Sequence, residues 1–262
     1  MIQDGTRSIP MNTLFPFGRA TCALILFGLC LTANPAGAAV REVFDCSYRD
    51  GADRSDLMNA RNYLVEQSDA IGLSDMQAFL WTPYKVPNFQ GDFLWFNSFP
   101  DLNAFAAAAN AYVSTDAGRA VAQRFDRIVT CTSSLADVEL VHEPKQPLDI
   151  ELPALLASYA CTLKPGQNAS SVGDVLTHYQ DVLAGTGMHD DHAFYAVTPL
   201  LGTGEIDRYF FGVHADLPAW AARETAMQTS EAAAMFGRHV DQVMDCASAL
   251  WWGEPIIPVP EE

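Results

Sequence analysis

The sequence predicts an α+β fold made of two tandem βαββαβ units. First, the chain repeats itself at a constant offset of 115 residues, so that Cys46 is matched by Cys161 and Cys131 by Cys246. About twenty identities hold this register between Cys46 and Leu135 without a gap, which indicates a tandem duplication. Second, strand-like and helix-like patterns follow one another in the same order in each copy.

The clearest repeated segments are "LWFNSFPDLNAF" (94–105) and "YFFGVHADLPAW" (209–220). Each has the pattern of an aromatic strand, a tight turn and the start of a helix. In each, an aspartate (Asp101 or Asp216) stands where a helix N-cap accepts hydrogen bonds from backbone N–H groups. The repeat therefore predicts the same strand–turn–helix unit twice.

The first copy begins with "REVFDCSYR", whose alternation favours a strand. "DRSDLMNARNYLVEQSDAIG" favours a helix, with Asp53 as its cap and Gly72 at its end. "MQAFLWTPY" and "DFLWFNSF" are two strands joined by the turn-rich "KVPNFQG". A second helix starts after Asp101, breaks near Thr115 and runs to about Val129. "TCTSSL" is a last short strand.

The second copy repeats this order with "ASYACTL", "SVGDVLTHYQDVLAG", "DHAFYAVTP", "RYFFGVH", "LPAWAARET…FGRHVDQVM" and "CASAL". The prolines in "HEPKQPLDIELP" mark a linker between the copies. The predicted boundaries are therefore 39–141 for the first unit, 142–153 for the linker and 154–253 for the second unit. Residues 254–262 are predicted to form an extended, proline-rich tail.

Residues 1–38 have the layout of a secretory signal peptide. Arg7 and Arg19 precede the apolar run "ATCALILFGLCLTA", and Ala36 and Ala38 stand at the −3 and −1 positions of a cleavage site. An N-terminal membrane anchor is the alternative, although a membrane span needs ~20 apolar residues. We therefore expect a periplasmic or secreted protein without a membrane partner after cleavage.

The order β-α-β-β-α-β is that of the ferredoxin-like split βαβ unit. With "D-L-x-A-F/W" after an aromatic strand, an alanine-rich helix and a break near "ST-D", the sequence resembles the dimeric α/β-barrel superfamily. That group includes antibiotic-biosynthesis monooxygenase-like and stress-responsive barrel domains. The resemblance implies that both units pack sheet to sheet in one chain, as a monomer with internal pseudo-twofold symmetry. A sheet with helices on one face must bury its other face.

Four cysteines follow residue 38. In the strand order that the resemblance implies, the first and last strands of each unit are neighbours. It therefore predicts the disulfides Cys46–Cys131 and Cys161–Cys246, which export would preserve. A four-thiolate zinc site and buried free thiols are the alternatives, but the sequence has no C-x-x-C pair.

The composition narrows the class of partner. The formal net charge is −17, which argues against nucleic acid as a partner. An apolar content of 49% is enough to form a core, so this is not a disordered acidic chain. A small apolar or aromatic ligand is the partner class that we expect.

Strand alternation predicts which side chains face the barrel interior. Phe44, Cys46 and Tyr48 are assigned to the helix side, which leaves Asp45 and Ser47 facing the barrel. The other predicted interior residues combine aromatic and polar side chains, as small-molecule sites do. The ligand-binding candidates are Gln77, Phe79, Trp81, Trp95, Asn97, Phe99, Phe194 and Phe210. The alternative is that these aromatics simply fill the barrel.

Catalytic candidates are few. His192 and His214 are placed in the interior, where a neutral imidazole accepts a proton near pH 7, and Asp45 is a third candidate. "MHDDHAF" (188–194) resembles a metal-binding run, but neither strand face supplies enough ligands. No phosphate loop, nucleophile elbow or haem attachment motif is present. Neither a metal nor a cofactor is expected.

Three functions fit these features, and whether the protein is an enzyme stays open. The first is an exported protein that binds a small molecule in an aromatic-lined barrel, or that has a stress-related role. The second is a cofactor-independent monooxygenase or isomerase, which the family resemblance implies. The third is a structural or interaction protein with a filled barrel.

Overall fold

The computed structural model describes residues 39–73, 76–144, 148, 152–186, 192–202 and 204–257. The predicted signal peptide, residues 1–38, lies outside them, as does most of the "MHDDHAF" run. Among the described residues, no helix combines the length and the apolar character that a membrane span requires.

The described chain forms eight strands and six α-helices. The strands are β1 (Ala39–Tyr48), β2 (Gln77–Lys85), β3 (Phe93–Phe99), β4 (Val129–His142), β5 (Ala154–Leu163), β6 (His192–Leu201), β7 (Arg208–His214) and β8 (Met244–Ile257). The helices are α1 (Arg54–Gln67), α2 (Leu102–Ser114), α3 (Asp116–Asp126), α4 (Ala169–Thr186), α5 (Leu217–Thr229) and α6 (Glu231–Val243). A short 3₁₀ turn covers Asp69–Ile71.

The predicted caps and helix break form through local hydrogen bonds. The carboxylate of Asp101 accepts from the backbone N–H of Ala104 at 2.8 Å, and Asp216 accepts in the same way from Ala219 at 2.7 Å. Thr115 ends α2, and its hydroxyl accepts from the N–H of Gly118 to start α3. These side chains satisfy backbone donors that have no partner within the helix.

All eight strands close into one antiparallel barrel in the order β1-β3-β2-β8-β5-β7-β6-β4. Closure depends on β4 and β8, which have 14 residues each. One end of each pairs with β1 or β5, and the other end pairs with β6 or β2 from the opposite half of the chain. A single closed sheet therefore replaces the two separate facing sheets of the sequence prediction.

The lengths of β4 and β8 differ from expectation. "TCTSSL" was expected to be a short last strand, but β4 continues to His142, into the predicted linker. Residues 254–257, expected to belong to the tail, are the end of β8 and pair with β2. β8 is longer than expected because its last residues give hydrogen-bond partners to the backbone groups on the edge of β2. Short-range sequence patterns do not show such a pairing between distant segments.

Aromatic and aliphatic side chains fill the centre of the barrel interior. The interior cluster consists of Trp81, Phe96, Ala136, Val138, Leu156, Val197, Phe211 and Trp251. Trp81 lies at its centre, with ring-centroid distances of 4.4 Å to Phe96 and 5.2 Å to Phe211. Two further clusters lie between the barrel and the helices, one in each half of the chain.

Both predicted cysteine pairs lie at disulfide distance. Cys46 and Cys131 face each other in the β1–β4 register, and Cys161 and Cys246 do so between β5 and β8. Each bond closes a loop with a sequence separation of 85 residues. Such loops restrict the unfolded chain, so each disulfide stabilises its own half of the barrel.

The central position of Trp81 leads to a stability prediction. We expect Trp81→Ala to lower the free energy of unfolding by about 3–5 kcal/mol, since it leaves a cavity in a packed aromatic cluster. Trp252→Ala is the matched control, because Trp252 is only partly buried and its ring centroid lies 5.2 Å from that of Tyr84. Urea denaturation measures both. Equal losses for the two variants would contradict the packed interior.

Candidate functional site

The larger of the two cavities described here lies outside the barrel, between the first-half strands and helices α1–α3. Its volume is about 400 Å³, within the range of ligand pockets. Much of its wall is aromatic: Phe44, Phe93, Trp95, Phe99, Phe105 and Phe125. Its polar lining groups are Glu42, Asn97, Tyr112, Asp126 and Ser133. We call it the first cavity.

Three of its side chains form a hydrogen-bonded chain. Trp95 donates from Nε1 to Asn97 Oδ1 at 2.7 Å, and Asn97 donates from Nδ2 to Glu42 Oε2 at 3.4 Å. Strand geometry brings them together, because Glu42 and Asn97 are direct partners in the β1–β3 register. Trp95 lies two residues along β3, on the same face. We call these residues the Glu42 chain.

Burial shapes the proton chemistry of this cavity. It raises the pKa of Glu42, and the hydrogen bond from Asn97 offsets only part of that rise. Burial raises the pKa of Tyr112 to about 12, with further contributions from the nearby carboxylates of Asp126 and Glu42. At neutral pH Tyr112 is therefore a hydrogen-bond donor. Glu42 holds a proton more readily than an ordinary carboxylate does.

No Lys, Arg or His side chain is among the described residues that line the first cavity. Its ionisable groups are two carboxylates and one phenol, so the cavity disfavours anions. A neutral molecule with a hydrogen-bond donor fits better, because Glu42 and Asp126 offer acceptors. The Cys46–Cys131 disulfide also forms part of the wall.

A second cavity of about 180 Å³ occupies the corresponding place in the second half, against α4, α5 and α6. The Glu42 chain has no counterpart there, since the matching strand positions hold Ala157, Phe210 and Gly212. Instead, the buried Arg223 donates to the hydroxyl of Tyr179 at 2.7 Å. The two cavities therefore differ in chemistry.

Of the sequence-predicted ligand-binding residues, Phe79 and Trp81 belong to the barrel interior. Gln77 lies on their face of β2 by alternation. Trp95, Asn97 and Phe99 line the first cavity instead, so their assignment to the barrel interior was wrong. The face of β3 that carries Leu94 and Phe96 points into the barrel, because a closed interior excludes water more fully than the sheet–helix layer does.

Phe194 and Phe210 were also assigned to the interior, but both line the second cavity. For Phe194 the cause is a register shift. Ala78 pairs with Asn97, but the residue opposite Gly212 is Phe194, so β6 matches β2 at an offset of 116. A shift of one residue exchanges the faces of a strand.

Two of the three catalytic candidates, His192 and His214, lie together, but outside both described cavities. His192 and His214 are stacked with ring centroids 5.6 Å apart, and their exposed fractions are 0% and 1%. Tyr179 is hydrogen-bonded to His192 Nε2. Neither histidine is among the described residues that line the two cavities. Asp45 keeps its place on the barrel face of β1 but is exposed at the strand's end.

Of the three residues in the Glu42 chain, Glu42 is the one that the sequence analysis missed. The available signal was its position two residues before Phe44 on the helix-facing side of β1, which made it a carboxylate on an otherwise apolar face. The dipeptide Thr82-Pro83, matched by Thr198-Pro199 at an offset of 116, likewise signalled the shift of β6.

Among the described residues, no three potential metal ligands lie together.

Comparison with solved structures identifies the fold. A Fusobacterium nucleatum protein described as a monooxygenase superposes with a TM-score of 0.54 at 12% identity, covering 84% of this chain and 94% of its own. A Lactobacillus acidophilus protein with the same description gives 0.52 at 8% identity, with coverages of 84% and 94%. A protein described as a chlorite dismutase gives 0.52 at 10% identity, with coverages of 84% and 96%.

These likenesses show an α+β fold of the dimeric α/β-barrel type, as the sequence resemblance implied. At such low identity they establish the fold and not the activity. No protein-family model matches the chain. No curated protein matches it either.

The raised pKa of Glu42 predicts a pH-dependent stability. The folded state binds this proton more tightly than the unfolded state, so the free energy of unfolding falls as the pH rises through the folded pKa. Glu42→Gln removes this loss and can still accept from Asn97. We therefore expect Glu42→Gln to be more stable than the wild type at pH 7 and about equally stable at pH 4.

Urea denaturation at both pH values measures the difference. Glu139→Gln is the matched control, because Glu139 is an exposed residue of β4. A stability gain of the same size at pH 4 and pH 7 would show that Glu42 is not the titrating group.

Proposed function

We propose that this protein is an exported small-molecule-binding protein whose ligand occupies the first cavity. The observation that carries the proposal is a cavity of about 400 Å³ with an aromatic wall and one polar chain of Trp95, Asn97 and Glu42. In such a pocket the apolar wall buries most of the ligand surface, and the few polar groups orient the ligand. The ligand class is a small aromatic molecule.

The proposal keeps the expected type of ligand but changes its location. The sequence placed the ligand in the barrel interior, but the interior cluster fills the centre of that space. A filled barrel is what the third hypothesis, a structural or interaction protein, assumes. The first cavity supports binding instead, because it lies beside the barrel and does not depend on space within it.

The proposal includes tandem duplication of a ferredoxin-like unit, export, and action as a monomer with pseudo-twofold symmetry. The pairing of β2 with β8 and of β6 with β4 supports the symmetry. Disulfides are typical of proteins in oxidising compartments, so the two disulfide-distance pairs are compatible with a periplasmic or secreted protein. The signal peptide over residues 1–38 is part of this proposal.

Fluorescence titration with 2-naphthol and with naphthalene tests the binding site. We expect saturable binding of both probes to the wild type. Ala108→Phe should abolish binding, because Ala108 is a buried residue of α2 that lines the cavity. Ala107→Phe is the matched control, since Ala107 is exposed on the same helix. Equal binding by both variants would place the probes elsewhere.

The same titration tests the role of Glu42. Its carboxylate should accept a hydrogen bond from the hydroxyl of 2-naphthol. Hydrogen bonds to charged groups contribute ~1.5–3 kcal/mol. We therefore expect Glu42→Leu to weaken 2-naphthol binding at least tenfold and to leave naphthalene binding within about twofold. An equal effect on both probes would contradict a hydrogen bond from Glu42.

A cofactor-independent monooxygenase or isomerase is the second candidate. The raised pKa of Glu42 favours it, because a buried carboxylate near an apolar substrate can accept and return a proton. Two proteins of similar fold carry the description monooxygenase. Oxygen uptake or product formation from a bound phenol, abolished by Glu42→Gln while binding persists, would favour this candidate over simple binding.

A further inference from the structure

We infer that the barrel interior holds a second, separate site at one end, where Arg41 binds a small carboxylate. This inference rests on the barrel interior and does not depend on the proposed function of the first cavity. Arg41 lies two residues before Val43, which packs against the interior cluster, so alternation directs Arg41 to the same face of β1.

Aromatic rings flank the Arg41 guanidinium. Its Cζ atom lies 5.3 Å from the ring centroid of Phe79 and 5.8 Å from that of Phe211. These rings attract the cation and partly exclude water from it. The rings offer no hydrogen-bond acceptor. The phenol of Tyr195 lies near enough to interact electrostatically with Arg41, but no hydrogen bond between described residues reaches the guanidinium, so its N–H edges still lack an acceptor.

Within the described part of the chain, no group accepts a hydrogen bond from the buried Nε atom of Arg41. No described carboxylate forms a salt bridge with it either. Asp45 is on the same face of β1 but lies four residues away, which is ~13 Å along a strand. A half-buried cation that lacks a carboxylate partner is costly, and an external carboxylate would satisfy it. Burial also lowers the pKa of Arg41.

Two polar side chains lie in the same row across the barrel wall. Arg41 pairs with Ser98 of β3, and Ser98 pairs in turn with Gln77 of β2. Ser98 shares its face with Phe96, and Gln77 shares its face with Phe79, so both face the interior. Directly paired residues have Cβ atoms ~5 Å apart. The row therefore presents a guanidinium, a hydroxyl and a carboxamide, all of which can donate.

The size of the neighbours sets the size of the ligand. On the other side of Arg41 the paired residue is Ala136, whose side chain is small. A carboxylate matches the planar fork with two parallel N–H···O bonds. The site suits a small carboxylate, with Ser98 and Gln77 donating to the remaining lone pairs of the two oxygens that Arg41 binds.

Acetate is the probe for this site. We expect sodium acetate to raise the melting temperature of the wild type saturably, beyond the effect of sodium chloride at equal ionic strength, and to change the fluorescence of Trp81 and Trp251. Isothermal titration calorimetry with acetate gives the affinity. No difference between acetate and chloride in the wild type would overturn the inference.

Four variants locate the site. Arg41→Met should abolish the acetate effect and be at least as stable as the wild type in chloride, because it removes an unpaired cation. Arg41→Lys, which keeps the charge but not the fork, should bind acetate at least tenfold more weakly. Ser98→Ala and Gln77→Leu should each weaken binding severalfold. These three variants still test the site if Arg41→Met fails to fold.

Arg119→Met is the matched control, because Arg119 is exposed and pairs with Asp116. It should bind acetate as the wild type does. Unchanged acetate binding in Arg41→Met and Arg41→Lys would overturn the inference. Loss of acetate binding with retained naphthalene binding would separate this site from the first cavity.

Discussion

The rest of the structure depends on the pairing of β2 with β8 and of β4 with β6. These two seams join the halves of the chain and leave the eight-stranded sheet without an edge. Closure gives every strand two neighbours and creates an interior from which water is excluded. It also forces all six helices to the outside, so the layer between sheet and helices becomes the place where cavities form.

The two halves use that layer differently. In the first half, Glu42 and Asn97 face each other across β1 and β3, and Trp95 completes a hydrogen-bonded chain. In the second half, the residues at the corresponding positions are Ala157 and Gly212, which are also paired across neighbouring strands. Neither has a polar side chain, so no such chain forms. Around the second cavity, Arg223 and Tyr179 take up the polar contacts. One backbone arrangement thus supports two chemically distinct pockets.

The barrel interior shows the same asymmetry at a single position. Arg41 places a cation among aromatic rings, whereas the matching position on β5 is Leu156, a member of the interior cluster. A leucine there is packed on all sides, but an arginine needs acceptors that aromatic rings do not provide. The two halves of the chain therefore carry different polar groups, both in the sheet–helix layer and in the barrel interior.

By itself, the sequence determined the elements that arise from neighbouring residues. The caps Asp101 and Asp216, the break at Thr115 and the strand–helix order all follow from local hydrogen bonding and side-chain periodicity. The cysteine pairs followed once the strand order was inferred from the family resemblance. The caps and the helix break involve residues that are close in sequence. The cysteine pairs follow from which strands are neighbours in the sheet.

Only the tertiary structure decided which face of each strand the ligand groups occupy. The one-residue shift of β6 reversed the predicted faces of Phe194 and His192, and the extension of β8 past Gly253 was set by its partner β2. Alternation tells which residues share a face but not which face is inside. That choice depends on how the whole barrel closes, because closure determines which side of the sheet loses contact with water.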